Sequence, residues 1–152
     1  MTAGEVCNRT VYIIRADESV LDAARLMKEY HVGCLVVVEE RDGDRVPIAL
    51  VTDRDLVVKG IAEEPDEVAT MPVREVMSDG LIAARESERM YDVRKKMRAH
   101  GVRRIPVVNA EDRLQGIIAL DDMVEWMAQE LTDLAQLVSR EQKKEAESNE
   151  ES

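Results

Sequence analysis

Apolar positions in this chain follow two rhythms, and the whole sequence of rhythms occurs twice. Residues 11–14 form a brief β-branched run that predicts an extended segment. Val20, Ala23, Ala24, Met27 and Tyr30 follow at helical spacing with charges between them, behind the capping oxygens of Asp17-Glu18-Ser19. This helix is expected to stop near His31. Residues 34–38 are continuously apolar and β-branched, which predicts a strand buried on both faces. A charged turn around Asp42-Gly43-Asp44 leads to a second strand over 46–51, with Pro47 near its start, where a missing N–H is tolerable. A second helix is expected over 53–62.

After an acidic connector and a short helical turn through Val73, Val76 and Met77, the pattern restarts. Residues 81–84 are short and apolar, Glu86-Ser87-Glu88 offers helix-start chemistry, and Met90, Val93 and Met97 run to a stop at His100-Gly101. Strands are expected over 104–108 and 114–119, then a helix from Leu120 or Asp121 to about Arg140. Met27 matches Met97, Val32 matches Val102, and Val37-Val38 matches Val107-Val108, all at an offset of 70. Asp55 matches Asp122 at an offset of 67, the longer first turn absorbing the difference. The expected fold is therefore α/β: two β-α-β-β-α repeats related by a pseudo-twofold axis, plus a long C-terminal helix. One repeat alone leaves a sheet face uncovered, so the pair should be the folding unit. The expected boundaries are repeat one over 6–62, a linker with a short helix over 63–80, repeat two over 81–128, and a continuation of the last helix over 129–140. Residues 141–152 are dense in Glu and Lys and predict a solvated or disordered tail.

Composition narrows the function. Among 152 residues, aromatic content is 3% with no Phe, so the core must be aliphatic. The net charge of -11 opposes nucleic-acid binding, which needs clustered Lys and Arg, and disfavours anionic lipid. No apolar run reaches the roughly 20 residues of a membrane span. Residues 1–9 have no apolar signal core, and Cys7 and Cys34 have no metal-type spacing, so a cytoplasmic protein with ordinary thiols and no bound metal is expected. No nucleophile stands near a base and no Gly-rich phosphate loop occurs, so the reading excludes an enzyme and assigns no catalytic residue.

Chemistry concentrates where the second strand meets its helix, at Ala49-Leu50-Val51-Thr52-Asp53-Arg54-Asp55-Leu56. A hydroxyl and carboxylates stand at a strand end, the place where α/β sheets bind ligands. In the second copy Ala119 replaces Thr52 and Asp122 matches Asp55. Conversely, Arg103 and Arg104 stand where the first copy has Gly33 and Cys34.

These segments resemble the cystathionine-β-synthase (CBS) domain. The resemblance rests on His31-Val32-Gly33-Cys34-Leu35-Val36-Val37-Val38 with Leu50-Val51-Thr52-Asp53-Arg54-Asp55-Leu56. The second copy adds Gly101-Val102-Arg103-Arg104-Ile105-Pro106-Val107-Val108 with Gly116-Ile117-Ile118 and Asp122. It covers roughly residues 6–128, and the whole looks like a stand-alone bacterial pair. The resemblance implies a regulatory module that binds an adenine nucleotide between the copies and signals energy state, AMP being the first choice over ADP, ATP or a dinucleotide. It also implies a homodimer, and no cofactor is required. An unidentified protein effector is a further expected partner. The alternative is a nucleotide-free scaffold of the same fold.

On that reading Asp55 accepts from ribose hydroxyls, and Thr52 meets phosphate with Arg103 or Arg104 from the other copy, because a guanidinium fork suits phosphate. Arg54 takes a secondary phosphate role. Val32, Cys34, Ile105 and Pro106 are expected to form cleft walls near the base. A second cleft with Asp122, Ala119, Gly33 and Cys34 is expected to bind weakly or take another ligand. Thr52 and Asp55 also fit a simpler role as a helix cap and a first-turn acid.

Overall fold

A computed structural model describes residues 1–151. It divides into a unit over 1–118 and a C-terminal unit from Ala119 onward. In the first unit, β1 (Ile13–Arg15) pairs parallel with β2 (Cys34–Arg41), and β2 pairs antiparallel with β3 (Asp44–Thr52). The helix α2 (Val20–Tyr30) connects β1 to β2. The second repeat copies this order with β4 (Ala84–Arg85), α4 (Met90–His100), β5 (Arg104–Val108) and β6 (Leu114–Ala119), as a sheet β4-β5-β6. The tandem α/β architecture expected from the internal repeat is what the chain adopts.

Local chemistry explains most of the boundaries. Ser19 caps α2: its hydroxyl accepts from the Asp22 N–H at 3.0 Å while the Asp22 carboxylate accepts from the Ser19 N–H at 3.1 Å. The helix ends at His31 in the left-handed conformation, φ 55°, and α4 ends at Gly101 with φ 62°. In the second repeat Arg89 occupies the cap position without a side-chain cap bond, so Glu86-Ser87-Glu88 does not start α4 as expected. Glu88 instead accepts from the Arg85 N–H at 3.1 Å and from Lys96 Nζ at 2.9 Å. Burial pushes the Glu88 carboxyl up, but these bonds outweigh it and hold the group below its ordinary range.

Along β2 all four of Leu35, Val36, Val37 and Val38 are buried. Leu35 and Val37 join a core with Ile14, Val20, Ala23, Met27, Val51 and Leu56. Val36 and Val38 point to the other face of the pleat and are equally buried, so that face is covered too. The register slips between Val37 and Val38, leaving Ile48 without a partner, so Pro47 sits beside a bulge. After β3, the helix α3 (Asp53–Asp55) continues directly as a π-helical segment, Leu56–Ile61. The connector lies along repeat one: the N–H of Val20 reaches the Met71 carbonyl and that of Val73 the Glu18 carbonyl. Its Met71, Val73 and Val76 enter the core through the short 3₁₀ turn Val73–Glu75.

Two segments differ from expectation. The first residues, which the expected boundaries leave outside repeat one, are ordered. A short helix α1 (Ala3–Val6) docks on repeat two, with the Ala3 and Gly4 N–H groups donating to the carbonyls of Glu88 and Glu86. Asn8 and Ile117 exchange two backbone hydrogen bonds. Small residues make this close approach feasible, so no apolar periodicity advertises it. At the other end, the helix α5 (Leu120–Glu151) does not stop near Arg140. Residues 141–150 continue it fully exposed, because Glu, Gln, Lys and Ala are strong helix formers even without a buried face. Ser152 lies outside the described residues.

Candidate functional site

The C-terminal end of β3 and the N-terminal end of β2 are neighbours because the pair is antiparallel, and Cys34 stands directly opposite Thr52. Thr52 terminates the strand and caps α3. Its N–H donates to Asp55 Oδ2 at 2.9 Å, and the Asp55 N–H donates to Thr52 Oγ1 at 3.2 Å. The capping role is thus real, yet it consumes only part of each side chain. A carboxylate offers about four acceptor positions, and a hydroxyl that accepts one bond still has its proton to donate. The cap also fixes the carboxylate's direction. Lys59 Nζ lies 3.4 Å from Asp55 Oδ1, one turn along the following helical segment.

These groups open into a cleft of about 390 Å³ within the first unit. Repeat one contributes Cys34, Leu50, Thr52 and Asp55. Repeat two contributes Val102, Arg103 and Arg104 from the approach to β5. The segment 78–82 between the repeats supplies the rest, including Leu81 and Ile82 as apolar wall. Ser78 fixes this segment against β3: its hydroxyl accepts from the Leu50 N–H at 3.0 Å and donates to the Gly80 carbonyl at 3.1 Å. Gly80 turns the chain with φ 79°.

Five residues singled out in the sequence therefore meet in one place: Thr52, Asp55, Arg103, Arg104 and Cys34. The others lie elsewhere. Arg54 is exposed on α3 outside the cleft lining, and Val32 packs on the repeat-one core. Ile105 and Pro106 are buried within β5, so their side chains do not reach the cleft. Asp122 is exposed in the first turn of α5. Cys34, expected both in the cleft wall near the base and in a second cleft with Asp122, lines this cleft beside Thr52, as the antiparallel register requires. Leu50, Ser78, Asp79, Gly80, Leu81 and Ile82 were not singled out; the apolar 81–84 run placed before a helix was the available signal.

Burial, opposed by Arg104 and aided by Asp55 and Asp53, pushes the Cys34 thiol up to about 11. That places the thiol, the guanidinium and both carboxylates in one electrostatic neighbourhood. The folded pKa exceeds the ordinary value of 9.0, so the folded state holds the proton more tightly. The associated stability is present below pH 9 and is lost as pH rises through about 11. Denaturant midpoints measured from pH 8 to 11.5 should fall more steeply in the wild type than in Cys34→Ala. Parallel falls would show that Cys34 titrates unperturbed.

The family model of the CBS domain matches residues 3–60 and again 73–129. The chain belongs to the CBS-domain family. CBS domain pairs are known regulatory modules. An uncharacterized protein of Methanopyrus kandleri is 33% identical over 127 residues, which cover 82% of this chain and 62% of that protein. The chain thus spans less than two thirds of that relative's length. The crystal structure of Hypoxic Response Protein I with two coordinated zinc ions matches with a TM-score of 0.71 at 27% identity, over 82% of this chain and 98% of that one. The curated relative of that name is from Mycobacterium tuberculosis. CBSX2 in complex with AMP matches with a TM-score of 0.69 at 25% identity, over 84% and 96% of the two chains. Among the described residues no three His, Cys, Asp or Glu side chains converge as metal ligands.

Proposed function

We propose that this CBS pair is a regulatory module that takes an adenine nucleotide, AMP in the first instance, into the cleft between its repeats. The observation that carries the reading is the convergence of Thr52 and Asp55 from one repeat with Arg103 and Arg104 from the other. Asp55 receives the ribose hydroxyls, Thr52 and the arginines take the phosphate, and Leu50, Leu81, Ile82 and Val102 flank the base. Phosphate suits this place doubly, since a guanidinium binds it by paired, charge-assisted bonds. The cleft volume falls at the lower end of small-ligand pockets, roughly 300–1,000 Å³, which favours a mononucleotide over a dinucleotide. The AMP complex of CBSX2 supports the same class of ligand.

Binding acts as a switch only if the ligand prefers one arrangement of the protein. The cleft is lined by both repeats and by the segment joining them, so a ligand there senses their relative position. The change from Thr52 to Ala119 makes the two copies chemically unequal, and one nucleotide per chain is the expected stoichiometry. Thermal unfolding with AMP, ADP, ATP, adenosine and GMP tests the reading. Saturating AMP at about 100 times its Kd stabilises by about 2.7 kcal/mol, a rise of roughly 5–10 °C for a chain of this size. GMP should have little effect. A panel without any shift would favour the nucleotide-free scaffold.

A further inference from the structure

We infer that α5 pairs with the α5 of a second copy of this chain, as an antiparallel two-helix coil. Val124, Met127, Leu131, Leu134 and Val138 follow one another at steps of three and four, the spacing of a coiled-coil seam. Leu131 is 68% exposed, Leu134 60% and Val138 54%, so the stripe faces outward along two heptads. A seam of this kind on a strongly acidic protein is an expensive surface to leave in water. Ala128 and Ala135 flank it on one side, and their small side chains allow a second helix close approach.

Charge selects the occupant and its direction. Residues 121–133 hold five carboxylates, Asp121, Asp122, Glu125, Glu130 and Asp133, and no Lys or Arg. Residues 139–144 hold Arg140, Lys143 and Lys144 against Glu141 alone. An antiparallel pair centred between residues 132 and 133 stacks Leu131 on Leu134 and Met127 on Val138, each layer occurring twice. The same register sets the acidic residues 121–126 of one copy alongside the basic residues 139–144 of the other. It also opposes the two helix dipoles. A parallel pair would set acid beside acid along the whole seam. An anionic membrane surface is disfavoured as the occupant, because these carboxylates would face like charge.

Sedimentation velocity of the full chain tests the pairing. The wild type is expected to be a dimer at tens of micromolar, with a dissociation constant that rises several-fold between low and high salt. Leu131→Lys/Leu134→Lys should sediment as a monomer, or dissociate at least 100-fold more readily, with its thermal unfolding otherwise retained. Direction is read by cross-linking on a Cys7→Ser/Cys34→Ser background. Mixing Met127→Cys with Val138→Cys chains should give the mixed disulfide dimer in excess over either self-linked dimer. A monomeric wild type, a dimer indifferent to the double lysine variant, or self-linked products alone would each overturn the inference.

Discussion

Asp55→Asn weakens AMP binding by one to two orders of magnitude while leaving the fold nearly intact. The change removes one negative charge and keeps an oxygen that accepts the Thr52 N–H, so the reciprocal cap at the start of α3 survives in large part. Ribose loses a charge-assisted acceptor, worth about 1.5–3 kcal/mol, and each 1.4 kcal/mol is tenfold in affinity. The ion pair with Lys59 is also lost, but Lys59 is half exposed and such pairs contribute little. Asp55→Ala should bind equally poorly and lose about 1 kcal/mol of stability besides, because the cap goes with it. Calorimetric titration of both variants, with denaturant unfolding alongside, separates ligand contact from helix capping. The phosphate side has its own signature: Arg103→Ala/Arg104→Ala should erase the preference for AMP over adenosine and leave adenosine binding little changed. AMP affinity unaltered in Asp55→Asn would remove Asp55 from the site.

Gly116→Ala should destabilise the chain by about 2–4 kcal/mol, because the added methyl overpacks a closed joint and disturbs its hydrogen bonds. A Cβ at this position would lie 2.6 Å from Cys7 Sγ and 2.7 Å from the Asn8 carbonyl oxygen. The thiol can swing aside, but that carbonyl accepts from the Ile117 N–H at 3.0 Å, and the Asn8 N–H donates to Ile117 at 2.9 Å. The methyl therefore has to part the bridge that holds the first residues on repeat two. A fall in melting temperature of roughly 10 °C is expected at this chain length. Cys7→Ala/Gly116→Ala should recover only part of it, because removing the sulfur leaves the backbone oxygen in place. Full recovery would locate the crowding at the thiol alone, and an unchanged melting temperature for Gly116→Ala would mean that residues 1–8 do not clamp repeat two in solution.

The parts of the molecule that were legible in the sequence are those whose signal repeats. Residues 104–108 and 114–119 read as strands because each is a short, largely apolar segment bounded by turn chemistry, and β5 and β6 have those limits. Thr52, Asp55, Arg103 and Arg104 stood out because comparison of the two copies exposed what each has and the other lacks. Cys34 is expected by that comparison in a second cleft and, by the resemblance, in the wall near the base; it lines the cleft beside Thr52. Matching copies shows equivalence between repeats, whereas the position of Cys34 follows from the antiparallel register within one repeat. Leu81 and Ile82 carried an apolar signal but no direction; the two hydrogen bonds of Ser78 set where they point. Gly4 and Gly116 were silent because their contribution is the absence of a side chain, which leaves no periodicity to read.

One cleft, built from both repeats, is proposed to hold an adenine nucleotide. A crystal structure of the chain grown with AMP tests it most directly. Density for one nucleotide per chain is expected, with the ribose hydroxyls on Asp55, the phosphate between Thr52 and Arg103 or Arg104, and the base against Leu81 and Ile82. An empty cleft at saturating AMP, or a nucleotide bound away from Asp55, would contradict it.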